Sequence, residues 1–253
     1  MQDLLIIPTY DRPEFLWWCL DHLMACPEIT DLQVRLHIDH HHRKPPPLYE
    51  IREVLWHFPR LHLHVYICPS HTFAGNSYNV MMAYQEAYRT QARYVFMVED
   101  DVLVAPQFFQ WHRQVQATEA PVCSMGVRRP SHGSFVSLGV CFPREELIRL
   151  LTHCRIEYFT QMEAYCRRVF PPSSFGTEQD GLWARLLAHE KLVWADPPLV
   201  QHVGWYGYHR TKSRRPAGSV GDRYRMIQRV LASPTALQEW VKDFHDIDVR
   251  PLR

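Results

Sequence analysis

Three consecutive carboxylates, Glu99, Asp100 and Asp101, close the apolar run Tyr94 to Val98 and are followed at once by Val102-Leu103-Val104-Ala105-Pro106. Holding three such charges inside a fold without counter-charge would be prohibitive. A hard divalent cation resolves the problem, because Mg2+ or Mn2+ prefers carboxylate oxygens and keeps open positions for substrate phosphates. The plain alternative is a turn whose acids face water or pair with an arginine such as Arg93; the apolar residues on both sides favour the cation. If the strand continues through the triplet, Glu99 and Asp101 share one direction and Asp100 points away. Further along, "GTEQDGLWARLL" offers Asp180 and Glu178 as carboxylates for proton transfer. An acid just before a helical apolar pattern also caps the helix or complements its dipole, and spacing alone leaves those readings even. His202 lies between Leu199-Val200 and the glycines Gly204 and Gly207, where a tight turn can bring the imidazole back to the metal edge. His40 to His42, by contrast, read as a flexible basic loop beside Pro45 to Pro47.

The elements that must position these groups alternate. Leu4 to Pro8 is a short apolar run of the kind buried on both faces, and it stops at Thr9-Tyr10-Asp11-Arg12. A helix follows, with Asp11 and Glu14 at capping-box spacing, Pro13 in its first turn and Phe15, Leu16, Cys19, Leu20 and Leu23 on one face. A strand near Gln33 to Ile38 ends at Asp39, a helix spans Tyr49 to His57, a third strand runs from Leu61 to Cys68, and a helix from about Asn76 to Arg89 precedes the acidic strand. This order predicts an α/β fold, a mainly parallel sheet flanked by helices, with Tyr10, Asp11, Asp39, His71 and the carboxylates on the rim where such sheets bind ligands. After Pro106 the pattern is mixed: helices at Gln107 to Gln116, Glu145 to His153, Glu157 to Arg168 and Asp180 to Glu190, and strand-like pieces at Cys123 to Val127, Phe135 to Phe142 and Lys191 to Trp194. Two closing helices are expected at Asp222 to Leu231 and Ala236 to Phe244. Trp17, Trp18 and Trp183 read as core or interface residues.

At 253 residues and 46% hydrophobic the chain can bury a large single core. Its 28 basic and 27 acidic residues nearly cancel, so a global field for polyanions is absent. One basic stretch stands out: His209, Arg210, Lys212, Arg214, Arg215, Arg223, Arg225 and Arg229, punctuated by Gly218 and Gly221. It can close over a diphosphate and exclude water. Ranked after that, it can track DNA while Trp205, Tyr206 and Tyr208 stack on an extruded base, or form a solvated tail. No run approaches a membrane span and no basic leader precedes the first apolar run, so a cytoplasmic or intracellular protein is expected. The seven cysteines are odd in number and lack CxxC spacing, which fits small core residues rather than a disulfide framework or zinc site.

"IIPTYDRPEFLWWCLDHL" resembles the opening of nucleotide-sugar glycosyltransferases with the GT-A fold, and "VEDDVLVAPQFFQW" resembles their DxD-type strand, nearest the Glu-Asp-Asp form of N-acetylglucosaminyltransferases. "GTEQDGLWARLL" is similar to the segment carrying the catalytic base of inverting members, and "PPLVQHVGWYGYH" to the late segment whose histidine often completes the metal site. The resemblance, which covers most of the first 210 residues, implies one GT-A (Rossmann-like) catalytic domain over 1–253. Residues 1–106 would be the nucleotide-sugar half, 107–208 a mixed acceptor and catalytic half, and 209–253 the basic loop and terminal helices. It implies a metal-dependent inverting transfer of a hexosyl or N-acetylhexosaminyl group from a nucleotide-diphosphate donor, UDP-sugar favoured, to a hydroxyl on a saccharide, protein or modified DNA base. Pro8, Thr9, Tyr10, Asp11, Arg12, Asp39, Asn79 and Asp100 would contact the donor, Asp101 and His202 would hold Mn2+ or Mg2+, and Asp180, with Glu178 as alternative or partner, would be the base. Glu99 is left as a structural acid. Arg128, Arg129 and His132 of "GVRRPSHG" could line the acceptor cleft or form an ordinary surface loop. The second strand ends in His37-Ile38-Asp39-His40 rather than in paired acids, which leaves the nucleotide open. The competing functions are the same chemistry on hydroxymethylpyrimidine DNA, a sugar nucleotidyltransferase, and a non-catalytic nucleotide- or carbohydrate-binding module. The nucleotidyltransferase would need a glycine-rich phosphate loop that "PTYDRPEF" lacks.

Overall fold

A computed structural model describes residues 2–131, 133–204, 206 and 215–233. Strand β1 (Leu4–Thr9) is buried at every position, as a continuous apolar run at the centre of a sheet must be. It pairs in parallel with β2 (Gln33–Ile38) on one side and β4 (Tyr94–Met97) on the other, and β2 carries the parallel edge strand β3 (Leu63–Ile67). Beyond β4 come β7 (Val140–Pro143), β6 (Cys123–Met125) and β8 (Leu192–Trp194), giving the order β3-β2-β1-β4-β7-β6-β8. β7 is antiparallel to both its neighbours and β6 is parallel to β8, so every strand except β7 ends at the same rim. A separate two-stranded ribbon joins β5 (Val102–Val104) to β9 (Val200–His202).

Helices α1 (Pro13–Met24), α2 (Leu48–Trp56) and α3 (Ser77–Tyr88) link the parallel strands. α4 (Phe108–Glu119) follows β5, and α5 (Ile148–Leu151), α6 (Ile156–Thr160), α7 (Met162–Val169) and α8 (Gln179–Leu186) lie in the second half. α9 (Val220–Leu231) returns to pack on α1, its start fixed by a reciprocal capping box between Ser219 and Asp222. Trp18 and Trp183 are fully buried, and Trp17 stacks between His57 and Tyr224. All seven cysteines are free thiols, six of them buried. Among the described residues no helix is long and apolar enough to cross a membrane.

Several expectations need correction. Asp11 does not cap α1: the cap position is Arg12, with no side-chain cap bond, and Glu14 is drawn completely inside by partners more than 190 residues away. Of the Phe135 to Phe142 stretch only Val140, Cys141 and Phe142 lie in a paired strand, which runs on to Pro143. The helix expected over Glu157 to Arg168 is two helices, broken where Gln161 leaves helical geometry. The helix expected at Ala236 to Phe244 lies outside the described residues.

Candidate active site

β4 ends at Met97, and the carboxylates that follow sit in a turn closed by the Val102 N–H donating to the Glu99 carbonyl at 3.0 Å. Strand alternation therefore stops before the triplet, and the expectation that Asp100 and Asp101 point to opposite sides is overturned. Both converge on Arg12: its Nη2 is 2.6 Å from Asp100 Oδ1 and its Nη1 is 2.5 Å from Asp101 Oδ2. Thr9 Oγ1 donates to the second Asp100 oxygen at 2.7 Å. His202 enters from β9, whose register sets it opposite Val102, and its Nε2 lies 3.1 Å from Asp101 Oδ2. Gly204 closes the wall: a Cβ there would lie 2.0 Å from Asp101 Oδ2 and 3.0 Å from His202 Nε2.

The electrostatics differ across the triplet. Burial alone would raise Asp101, but Arg12 and then His202 outweigh it and hold that carboxyl well below the usual range. Burial raises Asp100 despite Arg12. Glu99 is pushed well above the usual range by burial and then by the neighbouring Asp101 and Asp180. Asp180 is thus within electrostatic reach of Glu99.

On the β1 and β2 side, Asp39 is buried with Oδ1 2.6 Å from His71 Nε2, and the same oxygen accepts the His40 N–H at 3.0 Å. The backbone of the supposedly flexible histidine loop is tied down here: His71 donates to the His40 carbonyl at 3.0 Å and His42 to the His71 carbonyl at 2.9 Å. Tyr10 donates its hydroxyl to the Lys44 carbonyl, and Lys44 pairs with Asp11. Pro8 is buried within β1. Asn79 sits beneath the rim as a strap between strands, its amide donating to the carbonyls of His37 at 3.0 Å and Thr9 at 3.4 Å.

Glu178 occupies the cap position of α8 without a side-chain cap bond, and both Glu178 and Asp180 are exposed. The buried residue between them, Gln179, fixes the end of the helix. Ser77 Oγ donates to Gln179 Oε1 at 2.8 Å, the Gln179 N–H donates back to Ser77 Oγ at 3.2 Å, and Gln179 Nε2 donates to Asp180 Oδ1 at 3.0 Å. The first turns of α3 and α8 are thus pinned together.

No protein-family model matches the sequence, and no curated protein matches it. Solved structures do. S. aureus TarS 1-349 in complex with UDP-GlcNAc is similar at a TM-score of 0.56 and 13% identity, over 92% of this chain and 66% of that one. Mannosyltransferase PcManGT from Pyrobaculum calidifontis in complex with GDP-Man and Mn2+ gives 0.52 and 14%, over 77% and 54%. The glycosyltransferase GlyE of Streptococcus pneumoniae TIGR4 gives 0.52 and 9%, over 95% and 63%. The fold is GT-A. At these identities the likeness speaks for the fold, and the chain spans between about half and two thirds of the length of these solved chains.

Of the basic stretch, Arg215, Arg223 and Arg225 have partners within the protein. Arg215 and Arg223 both bind the fully buried Glu14, each through contacts of 3.0 Å, and both reach Glu50; Tyr206 adds its hydroxyl to Glu14. These two arginines dock the C-terminal segment on α1 and α2. Arg225 pairs with Asp222. His209, Arg210, Lys212 and Arg214, with Trp205, Tyr208 and His132, lie outside the described residues.

Among the described residues no group of three or more His, Cys, Asp or Glu could by itself hold a metal ion. Asp101 and His202 still fit as two ligands, because Asp101 Oδ1 is buried with no partner and the pair combines a hard oxygen with an imidazole; a diphosphate would supply further oxygens. In this structure the counter-charge expected from a metal is supplied by Arg12. Ser77 and Gln179 escape the sequence reading as site residues, because nothing local marks them. His71 is read there only as a rim residue and Gly204 only as part of the turn that returns His202; their partners Asp39 and Asp101 give them their roles.

Proposed function

We propose that the protein is a metal-dependent inverting glycosyltransferase that moves a hexosyl or N-acetylhexosaminyl group from a nucleotide-diphosphate donor, UDP-sugar favoured, to a hydroxyl acceptor. The observation that carries the reading is the convergence of Thr9, Arg12, Asp100, Asp101 and His202 at the strand ends of a GT-A sheet. The nucleotide sugars named with TarS and PcManGT, and the Mn2+ named with PcManGT, support the donor class. Thr9, Tyr10, Asp11 and Asp39 would border the nucleoside, with His71 fixing the Asp39 carboxylate and Asp100 on the nucleotide side. Asp101 and His202 would hold a divalent cation, which when bound neutralises charge on the leaving diphosphate. Asp180, exposed on the first turn of α8 and within reach of the acidic turn, would take the proton from the acceptor hydroxyl as that oxygen attacks the anomeric carbon and the sugar–phosphate bond breaks. Glu178 would be its partner or alternative.

The test is a thermal-shift panel of UDP, GDP and their sugars with and without Mn2+, followed by analysis of donor consumption with saccharide, protein and hydroxymethylpyrimidine DNA acceptors. A metal-requiring rise with one donor that disappears in Asp101→Asn is expected. No response to any nucleotide would overturn the proposal.

A further inference from the structure

Arg12 is placed as no ordinary surface cation is. It leaves the loop after β1, spans two acids of the turn after β4, and also donates to the Tyr206 carbonyl at 3.4 Å. Its side chain keeps 21% exposure while Asp100 and Asp101 keep 2% and 4%, so the arginine has a route to solvent that the acids lack. One Asp101 oxygen is shared between Arg12 and His202; the other is buried and unpartnered. A dication on the free oxygen would stand within a few ångströms of the guanidinium held on the other, and two cations at that separation in a water-poor site repel strongly.

We propose that Arg12 and a divalent cation compete for Asp101, so that Arg12 is the resident counter-ion of the free protein and metal enters only as the guanidinium withdraws. The inference rests on the donor reading above for its consequence: by linkage, whatever favours withdrawal of Arg12, a donor diphosphate included, raises metal affinity, and metal raises donor affinity by the same factor. Arg12 is then a positioning residue that keeps the carboxylates in place without metal and sets the order of loading.

The experiment measures Mn2+ binding to the full, nucleotide-free chain by electron paramagnetic resonance titration. Arg12→Gln should bind Mn2+ at least about tenfold tighter than wild type, since removing a neighbouring positive charge is worth at least that much at such a distance. The gain should vanish in the Arg12→Gln/Asp101→Asn double variant. A merely structural role for Arg12 predicts affinity equal to or weaker than wild type, and that result overturns the inference, as does a double variant that keeps the gain. If Arg12→Gln melts early because its acids are unpaired, Mn2+ should restore its melting temperature more than it raises that of wild type; failure to do so also overturns the inference. A wild-type chain that binds no nucleotide counts against the donor reading, whereas the Mn2+ comparison stands or falls without nucleotide.

Discussion

Replacing Glu14 by Gln removes a fully buried charge that organises the C-terminal segment. Glu14 accepts from Arg215 Nε and Nη2, each at 3.0 Å, from Arg223 Nε at 3.0 Å, and from the Tyr206 hydroxyl. Removing one member of a buried ion network costs about 3–5 kcal/mol, because the partners stay desolvated without their counter-charge. Arg223, only 5% exposed, keeps Glu50 and the Gly218 carbonyl, and Arg215 keeps Glu50 and partial exposure, so the low end, about 3 kcal/mol, is expected. For a chain of this size each kcal/mol is worth about 2–4 °C, which gives a fall of about 6–12 °C in melting temperature. Hydrogen exchange should localise the loss to α9 and its contact with α1, and because the network is buried, salt should change the difference little. Glu14→Gln combined with Arg223→Gln should cost less than the sum of the single changes by at least about 1 kcal/mol. A melting temperature within about 2 °C of wild type with unchanged α9 protection, or strict additivity in the double variant, would refute the reasoning.

Gly204→Ala drives a Cβ to 2.0 Å from Asp101 Oδ2, and Arg12 and His202 leave that carboxylate little freedom to move. The Mn2+-dependent response to nucleotide should fall by about tenfold or more, while stability falls by only about 1–3 kcal/mol; a wild-type response would contradict the geometry of the wall. Asp180→Asn should lower the transfer rate by about 10²–10⁴-fold with donor affinity preserved, and a larger loss in Glu178→Gln would exchange the two roles. Burial lowers His37 to about 4 and His112 to about 3. The unfolded chain binds protons on both below about pH 6.5 and the folded chain does not, so this stability is present above that pH and is lost as pH falls towards 4, by about 2 kcal/mol for each at pH 5. Urea denaturation at pH 7 and pH 5 should show the difference reduced by about 2 kcal/mol in His37→Gln; an unchanged difference would count against it.

Most of the parallel half was legible because its signals are local. Leu4 to Pro8 and Tyr94 to Val98 are apolar runs too short for helices, and the α1 positions from Phe15 to Leu23 follow one helical face. The loop before β7 was not legible. Phe135 to Phe142 is rich in apolar residues, yet Gly139 takes a positive φ of 59° and its carbonyl accepts from Gly126 at 2.7 Å, with Val200 and Phe108 so close that neither glycine has room for a side chain. Local pattern cannot report a constraint set by two chain segments arriving from elsewhere. Glu14 failed for the same reason. Its spacing from Asp11 suits a helix start, but its partners Tyr206, Arg215 and Arg223 decide its role.

The acidic turn shows which further step would have made the site readable. Charge type and position were visible at Thr9, Arg12, Asp100 and Asp101; which of them face one another depends on strand neighbours. β1 and β4 lie side by side in parallel with Ile6 opposite Met97. Three residues further along each chain stand Thr9 and Asp100, and the hydrogen bond between them is the continuation of that register past the end of β4. The chain beyond Thr9 then has to pass the acidic turn, which brings Arg12 to its two carboxylates. Given only the adjacency of β1 and β4, an arginine in the loop after β1 becomes the natural partner of acids in the turn after β4, ahead of Arg93 at the far end of β4 and ahead of the arginines at 215 and 223 that composition made conspicuous.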